Sequence, residues 1–140
     1  MQITLQDYLM GRDQAHPGEL TEFIARDATA TVMRVNDLLA KAVKAGVTID
    51  INPKTGTPVS SGWRPYAVNA ATPGAAVRSK HMTGQACDLY DPDGDLDDFC
   101  LSNPELLQAL GLWLEHPSAT KGWCHVQTIA PRSGKRVFYP

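Results

Sequence analysis

From Glu19 to Ala45 the chain sets Leu20, Phe23, Ile24, Ala28, Val32, Val35, Leu39, Ala42 and Val43 at helical spacing, and no other stretch constrains the fold as strongly. Residues three or four apart fall on one side of a helix. The segment therefore predicts one long amphipathic helix that must bury its apolar stripe. Pro17 suits the first turn, Glu19 and Glu22 complement the positive end, Lys41 and Lys44 the negative end, and Gly46 offers a terminator. Beyond it, Val47 to Ile51 reads as a short strand, 53–58 as a turn, and Pro58 to Arg64 as the approach to a second strand. Residues 65–80 are small, polar and marked by Pro and Gly, which predicts a surface loop with a helical turn near Asn69. Gln85 to Tyr90 reads as a strand, Asp91 to Asp95 as a tight turn, and Pro104 to Leu110 as a short helix capped by Asn103. Leu112 to Glu115 and Trp123 to Thr128 read as strands joined by a Pro-containing loop. The expected fold is α+β: a small, mainly antiparallel sheet with the long N-terminal helix and short helices packed outside it.

A chain of 140 residues suits one domain, here 1–140. With 43% hydrophobic and 20% charged residues it can bury a core without metal or disulfide staples, so a metal is free to be catalytic. A formal net charge of -2 gives no basic field for nucleic acid or an anionic membrane. Lys121, Arg132, Lys135 and Arg136 gather near the C-terminus and read as a solvated loop. Cys87, Cys100 and Cys124 form no CxxC pair, which argues against a disulfide framework or a thiolate cage and for a reducing compartment. The N-terminus has no basic segment leading into a long apolar one, and no apolar run is long enough to span a bilayer. Synthesis in the cytoplasm without an export signal, as a monomer, is the expectation.

Chemistry-bearing residues concentrate in Ser79 to Asp88 and again in Gly122 to Gln127. Two imidazoles, His81 and His125, and the Asp88 carboxylate would suit zinc, and three protein ligands leave a fourth tetrahedral position open. Alternate side chains of a strand point to opposite faces. If Asp88 faces a metal, Cys87 does not; likewise Trp123 and Gln127 share the face of His125, and Cys124 lies on the other, which disfavours a Cys124–His125 nucleophile–base pair. Asp91, Asp93 and Asp95 around Gly94 lack the closing Glu of a calcium loop and read as a turn. Trp63, Tyr66 and Trp113 are expected in core packing. Taken alone, each histidine is more often structural than a ligand.

Ser79 to Asp88 matches at every fixed position the S-x-H-x-x-G-x-A-x-D motif of the M15 family of zinc peptidases, the D-alanyl-D-alanine carboxypeptidase and L-alanyl-D-glutamate peptidase group. The later Trp123-x-His125 resembles that family's second histidine motif, and the Ser61 to Arg64 segment resembles its SGYR segment. The resemblance spans roughly Val59 to Thr128, with the motifs in family order. It implies zinc ligation by His81, Asp88 and His125, one ion per chain, with Arg64 binding a substrate carboxylate; Ser79, together with Trp123 and Gln127 on the face of His125, is expected to contact substrate. Many members carry the catalytic glutamate three residues before the second zinc histidine, where this chain has Gly122. In a branch of the family it ends the preceding strand instead, and Leu112 to Glu115 looks like that arrangement, which makes Glu115 the general base. His116, its neighbour, would point away on a strand. The implied activity is hydrolysis of peptidoglycan stem peptides, as an endopeptidase or carboxypeptidase, by a phage-type lysin that is released or virion-associated. The competing expectation is a zinc-binding structural or cell-wall recognition module without catalysis.

Overall fold

A computed structural model describes residues 2–140. Its longest element, α3 (Glu22–Lys44), buries Ala28, Thr31, Val32, Val35, Leu38, Leu39 and Ala42 along one face. It starts three residues later than expected. Thr21 caps it, its side chain accepting from the Ile24 amide at 3.2 Å, so Pro17 and Glu19 lie in the preceding turn. At the other end Gly46 adopts φ 94, its amide donates to Val43, and the Val47 amide donates to Ala42. This pairing closes the last turn and favours glycine, since a Cβ is strained at such φ. Phe23 and Val43, expected in the stripe, are exposed: their neighbours Ile24 and Ala42 face the core, and at about 100° per residue Phe23 and Val43 fall to the flanks of that face.

Two short helices precede it, α1 (Leu5–Leu9) and α2 (Arg12–Ala15). A capping box between Thr4 and Asp7 starts α1. Tyr8 then ties α1 to two distant stretches of chain: its hydroxyl donates to the Ala86 carbonyl at 2.6 Å, and its own carbonyl accepts from the Trp63 amide. A Cβ on Gly62 would collide with that Tyr8 carbonyl oxygen, so glycine is required there by close approach of backbone to backbone.

The remaining elements are β1 (Val59–Ser61), α4 (Tyr66–Ala70), β2 (Ala86–Asp91), α5 (Asp95–Ser102), α6 (Pro104–Leu110), β3 (Trp113–Glu115), β4 (Gly122–Gln127) and β5 (Val137–Phe138), with a 3-10 turn at Pro117–Ala119. The five strands form one sheet in the order β1-β2-β4-β3-β5, antiparallel except for β3 with β5. Cys87, Leu89, Leu114, Cys124 and Val126 join Val35, Leu38, Leu39, Cys100 and Leu107 in one hydrophobic cluster, so the helices cover one face of the sheet. All three cysteines are free and buried. No helix among the described residues is long and apolar enough to cross a membrane.

Several expectations need correction. Val47 to Ile51 forms no strand; Val47 and Ile49 pack against the core, but β1 occupies the place beside β2, so the segment has no ladder partner. The Asp91 to Asp95 turn leads directly into α5, because the Asp91 carboxylate accepts from the amides of Leu96 and Asp97. Asn103 stands at the start of α6 without capping it; its amide donates back to Phe99. Tyr66 is 70% exposed while Trp63 is buried. Trp113 is half-buried under the Arg136 guanidinium, 4.3 Å from the ring centroid, and Arg136 also donates to the Leu112 carbonyl. Arg136 is therefore not a freely solvated residue.

Candidate metal centre

Strand register builds one row of side chains across the sheet. Asp88 pairs with His125, Ser61 with Asp88, and Glu115 with Phe138. Leu114 pairs with Val126, so the antiparallel register brings Glu115 opposite His125 one step further on. Directly opposed residues share a face. Asp88, His125 and Glu115 therefore all lie on the side away from the buried Cys87, Leu114, Cys124 and Val126.

His81 reaches this row from the turn before β2, and the surrounding motif residues hold that turn. The Ser79 hydroxyl accepts from the His81 amide at 3.2 Å, and the Lys80 carbonyl accepts from the Gln85 amide at 3.0 Å. Gly84 sits at φ +74 with backbone of Ile24 and Ala28 so close that a Cβ would lie 3.0 and 3.1 Å from them. Its carbonyl accepts from Thr31 of α3 at 2.7 Å. Ala86 is fully buried, and its carbonyl takes the Tyr8 hydroxyl. The glycine and alanine of the motif thus dock the ligand-bearing turn and strand on α3 and α1.

Both histidines are oriented from behind. His81 Nδ1 donates to the Gly62 carbonyl at 2.8 Å, which leaves Nε2 facing Asp88 Oδ2 at 3.3 Å. Gln127 donates through Nε2 to the Ile129 carbonyl at 2.8 Å, so its Oε1 accepts from His125 Nε2 at 2.9 Å. His125 Nδ1 then faces Asp88 Oδ1 at 2.7 Å. Ligand atoms of His81, Asp88 and His125 all lie within 4.8 Å of one another. Two imidazole nitrogens and a carboxylate, each imidazole bonded outward through its other nitrogen, are a donor set that fits a metal ion.

The charges reinforce each other. Burial raises the cost of ionising Asp88, but the two histidines outweigh it and hold its carboxyl far below the usual range. Burial dominates His81 and lowers its pKa despite Asp88. For His125 burial opposes the charged form, yet the bonds to Asp88 and Gln127 and the field of Glu115 win and raise it. Arg64 Nη2 approaches Asp88 Oδ2 at 3.5 Å and its Nε donates to Ser61 at 3.0 Å. Arg64 is thus a largely buried neighbour of the centre, not a surface ion pair.

These groups open onto a cleft of about 520 Å³ lined by Arg64, Ser79, His81, Asp88, Glu115, Trp123, His125 and Gln127. All residues read from the sequence as ligands, base or substrate contacts therefore meet in one place. Gln127 differs in kind: its amide is engaged by His125 and Ile129, which makes it a positioning residue. Glu115 is partly buried, and burial pushes its carboxyl pKa up against the opposing pull of His125. The His116 ring bonds to Ser118 and stacks on Tyr139 at 4.6 Å, outside the cleft lining. Phe138 and Tyr139 also line the cleft; a two-residue strand such as β5 gives almost no periodic signal, and the sequence does not point to them. A second acidic group, Asp50, Asp91 and Asp93, centres on an Asp91 carboxylate already bonded to two backbone amides, in keeping with a turn.

No family model matches this chain, and no curated protein or solved structure matches it either.

Proposed function

We propose that the protein is a zinc-dependent peptidase acting on peptidoglycan stem peptides, as a phage-type lysin that is released or virion-associated. The observation that carries this reading is the sheet row of Asp88, His125 and Glu115, which puts a carboxylate outside the ligand set beside the buried ligands, in a cleft that also holds Arg64. His81, Asp88 and His125 would hold the ion. Zinc bound by three such ligands acts as a Lewis acid on a carbonyl and makes water acidic enough to attack near neutral pH.

This chain's own residues then have separate tasks. Arg64, with a planar fork of donors suited to a carboxylate, holds an acidic group of the peptide and orients its neighbouring bond. Glu115, in a site that favours its protonated form more than water does, accepts a proton from the attacking water and returns it to the leaving amine as the C–N bond breaks. Gln127 keeps His125 in the tautomer that directs Nδ1 toward Asp88. Trp123 and Ser79 line the cleft beside the peptide. Digestion of purified peptidoglycan by the zinc-loaded protein and by its Glu115→Gln variant tests the reading. Fragments with new amino termini from the wild type alone support it. A wild type that binds zinc and cuts no wall preparation would favour the non-catalytic binding module.

A further inference from the structure

The chain carries a formal net charge of -2, yet the cleft above the candidate metal centre is lined by the side chains of Arg64, Arg78, Lys80 and Arg132 against two side-chain carboxylates, Asp88 and Glu115, with the terminal residue Pro140 at its edge. Arg64 is engaged by Asp88 and Ser61. Arg78, Lys80 and Arg132 take part in no ion pair among the described residues. They reach the cleft from separate stretches of chain: Arg78 and Lys80 from the loop before β2, Arg132 from the segment after β4. Lys80 is presented from a fixed turn, since its carbonyl accepts from both the Gln85 amide and the Thr83 hydroxyl. Isolated surface cations are ordinarily just solvated. Three that converge on one concave site, in a chain whose overall charge has the opposite sign, instead focus a local positive potential.

We propose that Arg78, Lys80 and Arg132 form a second anion subsite of this cleft, separate from Arg64, so that the preferred substrate is a peptide with a second carboxylate away from the bond to be cut. The inference rests on the peptidase reading for its substrate but not for its measurement. Two guanidinium groups match a carboxylate through paired hydrogen bonds, and an ammonium adds a point charge. A peptide with a single acidic group would satisfy Arg64 and leave this rim facing water. A dicarboxylate peptide would engage both.

The test uses a synthetic stem tetrapeptide in four forms, with its internal and terminal carboxylates each free or amidated. Binding is measured by calorimetry to zinc-loaded Glu115→Gln protein, and to the same protein carrying Arg78→Gln, Lys80→Gln and Arg132→Gln. All three substitutions lie on the cleft lining, outside the hydrophobic cluster, and circular dichroism confirms that the variant is folded. The expected result is that amidating one of the two carboxylates weakens binding about 10-fold, the scale of a charge-assisted contact, that the triple variant abolishes this difference, and that its affinity for the form amidated there is unchanged. Added NaCl should weaken binding of the dicarboxylate form more than binding of the form amidated at that position. Equal affinity for all four forms, or a triple variant that discriminates as the parent does, would overturn the subsite. Cleavage is scored separately with otherwise wild-type protein: if no form is cut while the binding pattern holds, the peptidase reading falls and the subsite stands.

Discussion

Asp88 and His125 stand directly opposite each other on β2 and β4, with Asp88 Oδ1 2.7 Å from His125 Nδ1. The same pairing that registers the two central strands thus assembles two of the three residues that could hold a metal ion, and His81 closes the group from the adjoining turn with Nε2 3.3 Å from Asp88 Oδ2. Backbone register thus sets Asp88 against His125, and the turn before β2 brings His81 to them.

One zinc per chain is therefore expected, and His81→Ala or His125→Ala should lose most of it, because two donors make a poor site. Metal analysis of the purified variants measures this; full occupancy in both would remove the assignment. The hydrophobic cluster does not include the ligands, so chelation should abolish activity and leave the far-ultraviolet circular dichroism largely unchanged.

Gln127 should matter to the metal without touching it. Replacing it with Leu removes the acceptor of His125 Nε2–H, and loss of such a partner weakens metal affinity by about 10–100-fold. A competitive zinc titration reads this directly. Nitrogen chemical shifts of the His125 ring should report a loss of the single tautomer, a change that a general loosening of the fold would not produce.

Glu115→Gln should keep zinc, fold and substrate binding and lower turnover by about 10²-fold or more. An undiminished rate in this variant would remove Glu115 from the mechanism.

Asp97 supplies a pH dependence away from the centre. It is 3% exposed, its Oδ1 has no hydrogen-bond partner, and burial raises its pKa from 3.8 to about 6. The native state thus favours the protonated acid. Its stabilising contribution is complete below pH 3.8 and is lost as pH rises through about 6. Asp97→Asn, which does not ionise, should be more stable than wild type at pH 7 to 8 by about 1 kcal/mol or more, since a tenfold change in an acid's dissociation constant corresponds to about 1.4 kcal/mol. Thermal melts should show the advantage shrinking toward pH 4; a constant difference across this range would contradict the linkage.

How far the sequence could be read depended on element length and on who the partners are. Helix α3 was legible because its face at Ala28, Val32, Val35, Leu39 and Ala42 repeats over several turns. The parity of β2 and β4 correctly separated Asp88 and His125 from Cys87 and Cys124. By contrast α1 and α2 are too short for a period, and α1 is held by tertiary bonds from Tyr8. Val47 to Ile51 has strand-forming residues but no free edge beside β2, so propensity gave way to context. Within the centre, residue types pointed to the ligands, while the Gly62 carbonyl behind His81 and the true work of Gln127 depend on atoms that spacing cannot place. The wall made by Phe138 and Tyr139 comes from a parallel pairing of two residues with β3, a contact with no local sequence signature.

The most direct measurement is mass spectrometry of purified peptidoglycan incubated with zinc-loaded wild-type protein, with Glu115→Gln protein and with wild-type protein stripped of metal. The account predicts that only the first releases fragments with a new amino terminus at one defined bond of the stem peptide. Equal release by the Glu115→Gln protein, or an unaltered polymer in the presence of fully zinc-loaded wild type, would contradict it.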